Sequence, residues 1–166
     1  MIYLIAGVPG SGKSTTANKL AQKLEKSFLI ETDILRLFVK NGYASPANWT
    51  KETASQFELA TLNTCCLAKN AEKFGFDVVI DDSVSIEQEK IYLKELPDAV
   101  MVWLNPRLET ILERNQNREK RVNEGLIRNV YAKLSYRNTN PSKWHIINTD
   151  MLQIGSVVDK IFLNNI

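Results

Sequence analysis

Near the start of the chain, GVPGSGKST at positions 7–15 sets three glycines, a proline and a lysine where neither a helix nor a strand is favoured. Gly7, Gly12, Lys13 and Ser14 fit the pattern G-x-x-x-x-G-K-[ST], and the stretch follows an apolar run and opens an amphipathic one. The residue types suit phosphate. Glycines let successive backbone N–H groups turn inward around an anion, and the N-terminus of the following helix adds positive potential. Lys13 can reach β- and γ-phosphates, and the Ser14 hydroxyl can ligate the magnesium ion that bridges them. Gly7, Pro9, Gly10, Ser11, Gly12, Lys13, Ser14 and Thr15 are therefore the expected ATP-binding residues, with ATP and Mg2+ as the implied cofactors.

Four further stretches carry charged or polar groups. In ETDILR, Asp33 and Arg36 stand three apart, so they share one face at the start of a helix. A carboxylate there can take a proton from an attacking hydroxyl, and an arginine can hold a phosphate or carboxylate bidentately. The plainer alternative makes Asp33 a helix N-cap and Arg36 a solvated side chain. In VVIDDSV, acidic residues end an apolar strand, as in a Walker-B arrangement. Alternation points Asp81 and Asp82 to opposite faces without saying which faces the site. Asp81 is the candidate to join Ser14 at the metal, and Asp82 with Ser83 the candidate to line the acceptor side. The alternative is a turn capped by one aspartate.

From Arg107 to Arg137 there are eight basic residues against four acidic ones, +4 in a chain that totals +2. Arg114 and Arg118, four apart, project from one helix face and can close over a transferring phosphoryl group. After the last apolar run, NTDMLQ is expected to form a turn near the phosphate loop, where it can contact the base.

These groups need a scaffold, and the pattern of the chain supplies one. Five short apolar runs, at 2–6, 28–31, 77–81, 99–103 and 144–148, read as strands, mostly continuous in apolar residues, as strands buried on both faces require. Helical stretches lie between them at about 13–26, 33–40, 51–73, 86–95, 106–136 with breaks, and 151–163. This alternation predicts an α/β fold, a three-layer P-loop NTPase architecture with a five-stranded parallel sheet, helices on both faces and a helical lid at about 106–137. A chain of 166 residues with 44% hydrophobic residues fits one domain, 1–166. No apolar run approaches a membrane span and no signal peptide is evident, which leads to the expectation of a cytoplasmic protein. The adjacent Cys65 and Cys66 match no zinc or redox spacing and are expected as buried or half-buried free thiols.

Taken in order, GVPGSGKST, TDILR, VVIDDS and RNQNR resemble the phosphotransferase domain of phage-type 5′-hydroxyl polynucleotide kinases, within the adenylate-kinase-like group of small P-loop kinases. The resemblance implies that Lys13 and Ser14 bind ATP and magnesium, that Asp33 activates the 5′-hydroxyl, and that Arg36 contacts the acceptor's 3′-phosphate. It places the lid arginines at Arg114 and Arg118, and it suggests the sheet order of that group. Val84 stands where a polar residue is common in the family, and because the resemblance covers the kinase part alone, an enzyme that also removes 3′-phosphates is not expected. The leading expectation is a kinase moving the γ-phosphate of ATP to the 5′-hydroxyl end of a nucleic acid. A small-molecule kinase for a nucleoside, sugar or antibiotic shares the plan, as does a toxin-like kinase of nucleotide sugars. A nucleotide-dependent ATPase or switch is opposed by the lack of an N-K-x-D guanine signature.

Overall fold

The structure, a computed structural model, describes residues 1–117, 121–134 and 143–163. Five strands, β1 (Ile2–Gly7), β2 (Ser27–Glu31), β3 (Asp77–Asp82), β4 (Val100–Leu104) and β5 (Trp144–Ile147), form one sheet in the order β2-β3-β1-β4-β5, every neighbouring pair parallel. Seven helices are described: α1 (Lys13–Lys23), α2 (Thr32–Arg36), α3 (Lys51–Lys73), α4 (Ile86–Glu95), α5 (Leu108–Gln116), α6 (Glu124–Leu134) and α7 (Ile154–Phe162). The expected α/β architecture is present.

Strand alternation sorts the core into two layers. Ile2, Leu4 and Ala6 of β1 join Val78, Ile80, Met101 and Trp103 beneath α3 to α6, whereas Tyr3 and Ile5 join Val79, Val102 and Leu104 beneath α1 and α7. Every β1 residue is buried, because the strand is central and covered on both sides. Each fully buried aliphatic side chain contributes on the order of 1.5–3 kcal/mol.

Several boundaries differ from the sequence-based expectation. The stretch expected at 33–40 is a single short helix ending at Arg36, and α1 stops at Lys23, where the backbone turns extended at Leu24. The 106–136 stretch divides into α5 and α6, while α3 and α4 begin and end where expected. The starts of α3 and α4 are each fixed by a capping box, Thr50 with Thr53 after the long connection from α2 and Ser85 with Gln88 after the short one from β3. Cys65 is buried and its thiol is pushed up to about 12, chiefly by burial; Cys66, expected to be at least half-buried, is exposed. No helix among the described residues is long and apolar enough to cross a membrane.

Candidate active site

The parallel sheet brings the C-terminal ends of its strands to one edge, and the candidate residues gather there. At the end of β1 the chain turns through Val8–Ser11, where the Ser11 amide donates to the Val8 carbonyl at 3.0 Å. A Cβ on Gly7 would lie 2.3 Å from Ser11 Oγ and 2.9 Å from the Leu104 carbonyl oxygen, so only glycine fits. Gly12, the N-cap of α1, has φ +98°, a conformation that L side chains rarely adopt. Ser11 is buried and its Oγ has no hydrogen-bond partner among the described residues.

Lys13, the first residue of α1, puts Nζ 3.4 Å from Asp81 Oδ1. Register explains why this aspartate faces the loop. Asp81 pairs with Ile5, whose side lies under α1, and Asp82 pairs with Ala6, whose side lies under α3 and α4. Asp81 is buried, and its Oδ1 accepts no hydrogen bond among the described residues. This buried carboxylate oxygen, ion-paired to Lys13 at the helix start that also carries Ser14, and the Ser14 hydroxyl are oxygen donors of the kind magnesium takes together with phosphate oxygens. No group of three or more His, Cys, Asp or Glu among the described residues could hold a metal on its own.

Asp82 turns inward instead. It accepts hydrogen bonds from the Tyr92 hydroxyl at 2.8 Å, from Gln88 Nε2 at 3.2 Å and from the Ser83 amide at 2.7 Å. The network continues from Gln88 to Thr61 at 3.0 Å, and Thr32 Oγ1 lies 3.1 Å from the Thr64 hydroxyl and 3.4 Å from that of Tyr92. Burial pushes the Asp82 carboxyl up to about 7; the Tyr92 hydrogen bond opposes this, and the Asp33 charge reinforces it. The expectation that Asp82 meets a substrate therefore finds it beneath the surface, held by α4. Val84, which stands where the resembling family commonly has a polar residue, is fully buried in the core.

Asp33 and Arg36 form an ion pair, with Nη2 2.7 Å from Oδ1. Asp33 is not a cap, because the N-cap of α2 is Glu31; nor is Arg36 solvated, since its side chain is only 12% exposed and its guanidinium lies 4.0 Å over the Phe57 ring. Its Nε and Nη1 have no hydrogen-bond partner among the described residues. Buried donors without a partner are costly, and water or an anion would satisfy them.

Arg114, on α5, is half-buried and braced against the loop. Nη2 donates to the Thr149 carbonyl at 2.7 Å, and Nη1 to Thr149 Oγ1 and to the Ser11 carbonyl, each at 3.3 Å. The turn after β5 thus lies beside the phosphate loop, as expected. It is also tied to the start of α5, where Asp150 accepts from the Arg107 amide and Nε at 2.8 and 2.9 Å. Arg118 lies outside the described residues.

The AAA_17 family, an AAA domain, matches residues 6–128, from the end of β1 into α6. The chain belongs to this family. In structure the domain is similar to the Deinococcus radiodurans tunicamycin resistance protein, at 19% identity over 99% of this chain and 94% of that one, with a TM-score of 0.71. It is also similar to a sugar kinase from Janibacter sp. HTCC2649, at 16% identity over 98% and 92%, TM-score 0.75. A chain of the Pnkp1/Rnl/Hen1 RNA repair complex matches at 18% identity over 84% of this chain and 45% of that one, TM-score 0.62. No curated protein sequence matches.

In this AAA domain, sequence reasoning missed Asn115, which is buried beside Arg114. Its amide donates to the Val122 carbonyl at 2.8 Å and its carbonyl accepts from the Val122 amide at 2.9 Å, closing the connection between α5 and α6. The signal was present, as an asparagine inside an otherwise charged helix end, but only the fold shows which backbone it serves. The Thr32–Tyr92–Asp82 network left no such trace.

Proposed function

We propose that this AAA domain is an ATP-dependent kinase that transfers the γ-phosphate to the 5′-hydroxyl end of a polynucleotide. The observation that carries the reading is Arg36: a guanidinium paired with Asp33 at 2.7 Å whose buried Nε and Nη1 keep their N–H donors without a hydrogen-bond partner among the described residues. An acceptor that presents a phosphate close to its hydroxyl would satisfy Arg36 and bring that hydroxyl to Asp33.

The backbone of Gly7–Gly12 and Lys13 would cradle the triphosphate, and Lys13 would stabilise charge developing on the transferred group. Ser14 and Asp81 would hold Mg2+, which when bound supplies positive charge to the phosphate oxygens. Asp33 takes the proton as the acceptor oxygen bonds to the γ-phosphorus and the bond from that phosphorus to the ADP oxygen breaks. Arg114 would stiffen the loop through the Ser11 and Thr149 carbonyls, and Arg118 would add charge over the γ-phosphate. Asp82 and Ser83 would support the acceptor side from below.

A second reading, a small-molecule kinase, is favoured by the likeness to a sugar kinase along nearly the full length of both chains. Incubation with γ-labelled ATP and a panel of 5′-hydroxyl DNA, 5′-hydroxyl RNA, nucleosides and sugars separates the two. Label on oligonucleotide ends, lost with Lys13→Ala, is the expected result. Label on a sugar or an antibiotic alone would replace the first reading by the second, and no transfer to any hydroxyl would overturn both.

A further inference from the structure

Between α2 and α3, the chain leaves an aromatic surface beside Arg36. Trp49 is 58% exposed, and its ring lies 4.9 Å from that of Phe57 at an interplanar angle of 52°. Phe57 in turn carries the Arg36 guanidinium on its face, and Arg36 is bonded to Asp33. Indole, phenyl ring, guanidinium and carboxylate therefore form an unbroken run of contacts from the surface to the candidate base.

The run is built rather than loose. Buried Gln56 clamps the loop to α3, donating to the Gly42 carbonyl at 2.8 Å and accepting from the Ala44 amide at 2.9 Å. Thr50, next to Trp49, caps α3, and Thr53 Oγ1 returns to the Asn48 carbonyl at 3.3 Å. Although one part of the Trp49 indole packs on Phe57, the braced loop leaves more than half of it in water, where it adds nothing to folding. By contrast, the other two tryptophans, Trp103 and Trp144, are buried against each other.

We infer that Trp49, backed by Phe57, is a shelf on which the acceptor's terminal nucleobase stacks while Arg36 holds the adjoining phosphate. The inference rests on the polynucleotide reading above and adds the part of the acceptor that is recognised. A flat ring and an anion within one building block are what a nucleotide offers. Stacking is tolerant of base identity because every base has a π face, so the shelf would accept any terminal base.

The test compares two acceptors that share a hydroxyl and a phosphate and differ in the base: adenosine 3′-phosphate and methyl ribofuranoside 3-phosphate. Trp49→Ala should collapse the ratio of their KM values by about 5- to 150-fold, the range of one base–aromatic stack, and Trp49→Phe should restore most of it. Because Trp49 is the exposed tryptophan, adenosine 3′-phosphate should also quench the wild-type fluorescence and fail to do so in Trp49→Phe. An unchanged KM ratio with wild-type turnover intact would overturn the shelf and leave the kinase reading standing. Equal quenching by the base-free acceptor would also overturn it, making the shelf one for sugars. If wild-type protein neither phosphorylates nor is quenched by adenosine 3′-phosphate while it labels a sugar, both inferences fall together.

Discussion

Asp33→Asn separates positioning from proton transfer at the residue scale. The amide oxygen can still accept from Arg36 Nη2, as the carboxylate does at 2.7 Å, so local geometry should survive. It cannot take the acceptor's proton, and kcat should fall about 10²-fold or more with the KM for ATP little changed, checked by steady-state kinetics. Asp82 gives a prediction of a different kind, on stability. Its carboxyl titrates at about 7 in the folded protein because burial penalises the charge, whereas an unfolded chain releases that proton near the ordinary aspartate value of 3.8. Between those values the unfolded state binds fewer protons, so this residue makes stability fall as pH rises, with the loss complete above about 7. Asp82→Asn keeps an oxygen for Tyr92 and removes the titration. Urea melts at several pH values should show the variant gaining on the wild type as pH rises through this window; parallel curves would show that Asp82 titrates as it does in solvent.

Among the elements, the join between α5 and α6 depends on one side chain. Asn115→Ala removes both hydrogen bonds to Val122 and leaves that amide and carbonyl to find other partners. A loss of about 1–3 kcal/mol is expected in urea melts, with faster hydrogen exchange at the Val122 amide than at other amides of the domain. Turnover should fall further than ATP affinity, because the segment after Asn115 carries Arg118 toward its proposed place. The elements were largely legible in the sequence, because a doubly covered parallel strand needs an unbroken apolar run and the runs at β1, β3 and β4 are of that kind. The phosphate loop was legible for a related reason: all its parts are contiguous, so spacing alone defines it. What escaped depends on contacts between distant elements. Alternation said that Asp81 and Asp82 diverge, but only the pairing of Asp81 with Ile5 decides which one meets Lys13. The buried set around Asp82 joins α2, α3, β3 and α4, with Thr32 and Tyr92 sixty positions apart, and no local pattern links them. Arg36 read as either solvated or functional until Phe57, from another helix, was seen beneath it.

For the whole molecule, ATP binding should register as added stability, because the loop that would hold it joins the central strand to α1. At a hundredfold excess over Kd, a ligand that binds only the folded state adds about 2.7 kcal/mol, which raises Tm by roughly 5–10 °C for a domain of this size. Thermal melts with ATP and magnesium should show that rise in the wild type and little of it in Lys13→Ala, whose side chain packs against Asp81 rather than in the core. The position of β1 has a further consequence, for synthesis. This strand is made before both of its sheet neighbours, which start at Asp77 and Val100, so its edge toward β3 waits unpaired for about seventy residues of synthesis and its edge toward β4 for about ninety. At translation speeds of 5–20 residues per second that wait lasts on the order of 5–20 s. The phosphate loop, at the end of that waiting strand, should therefore become competent late, once β4 is in place. A nascent chain that has not yet reached β4 should be bound by chaperones in preference to nucleotide.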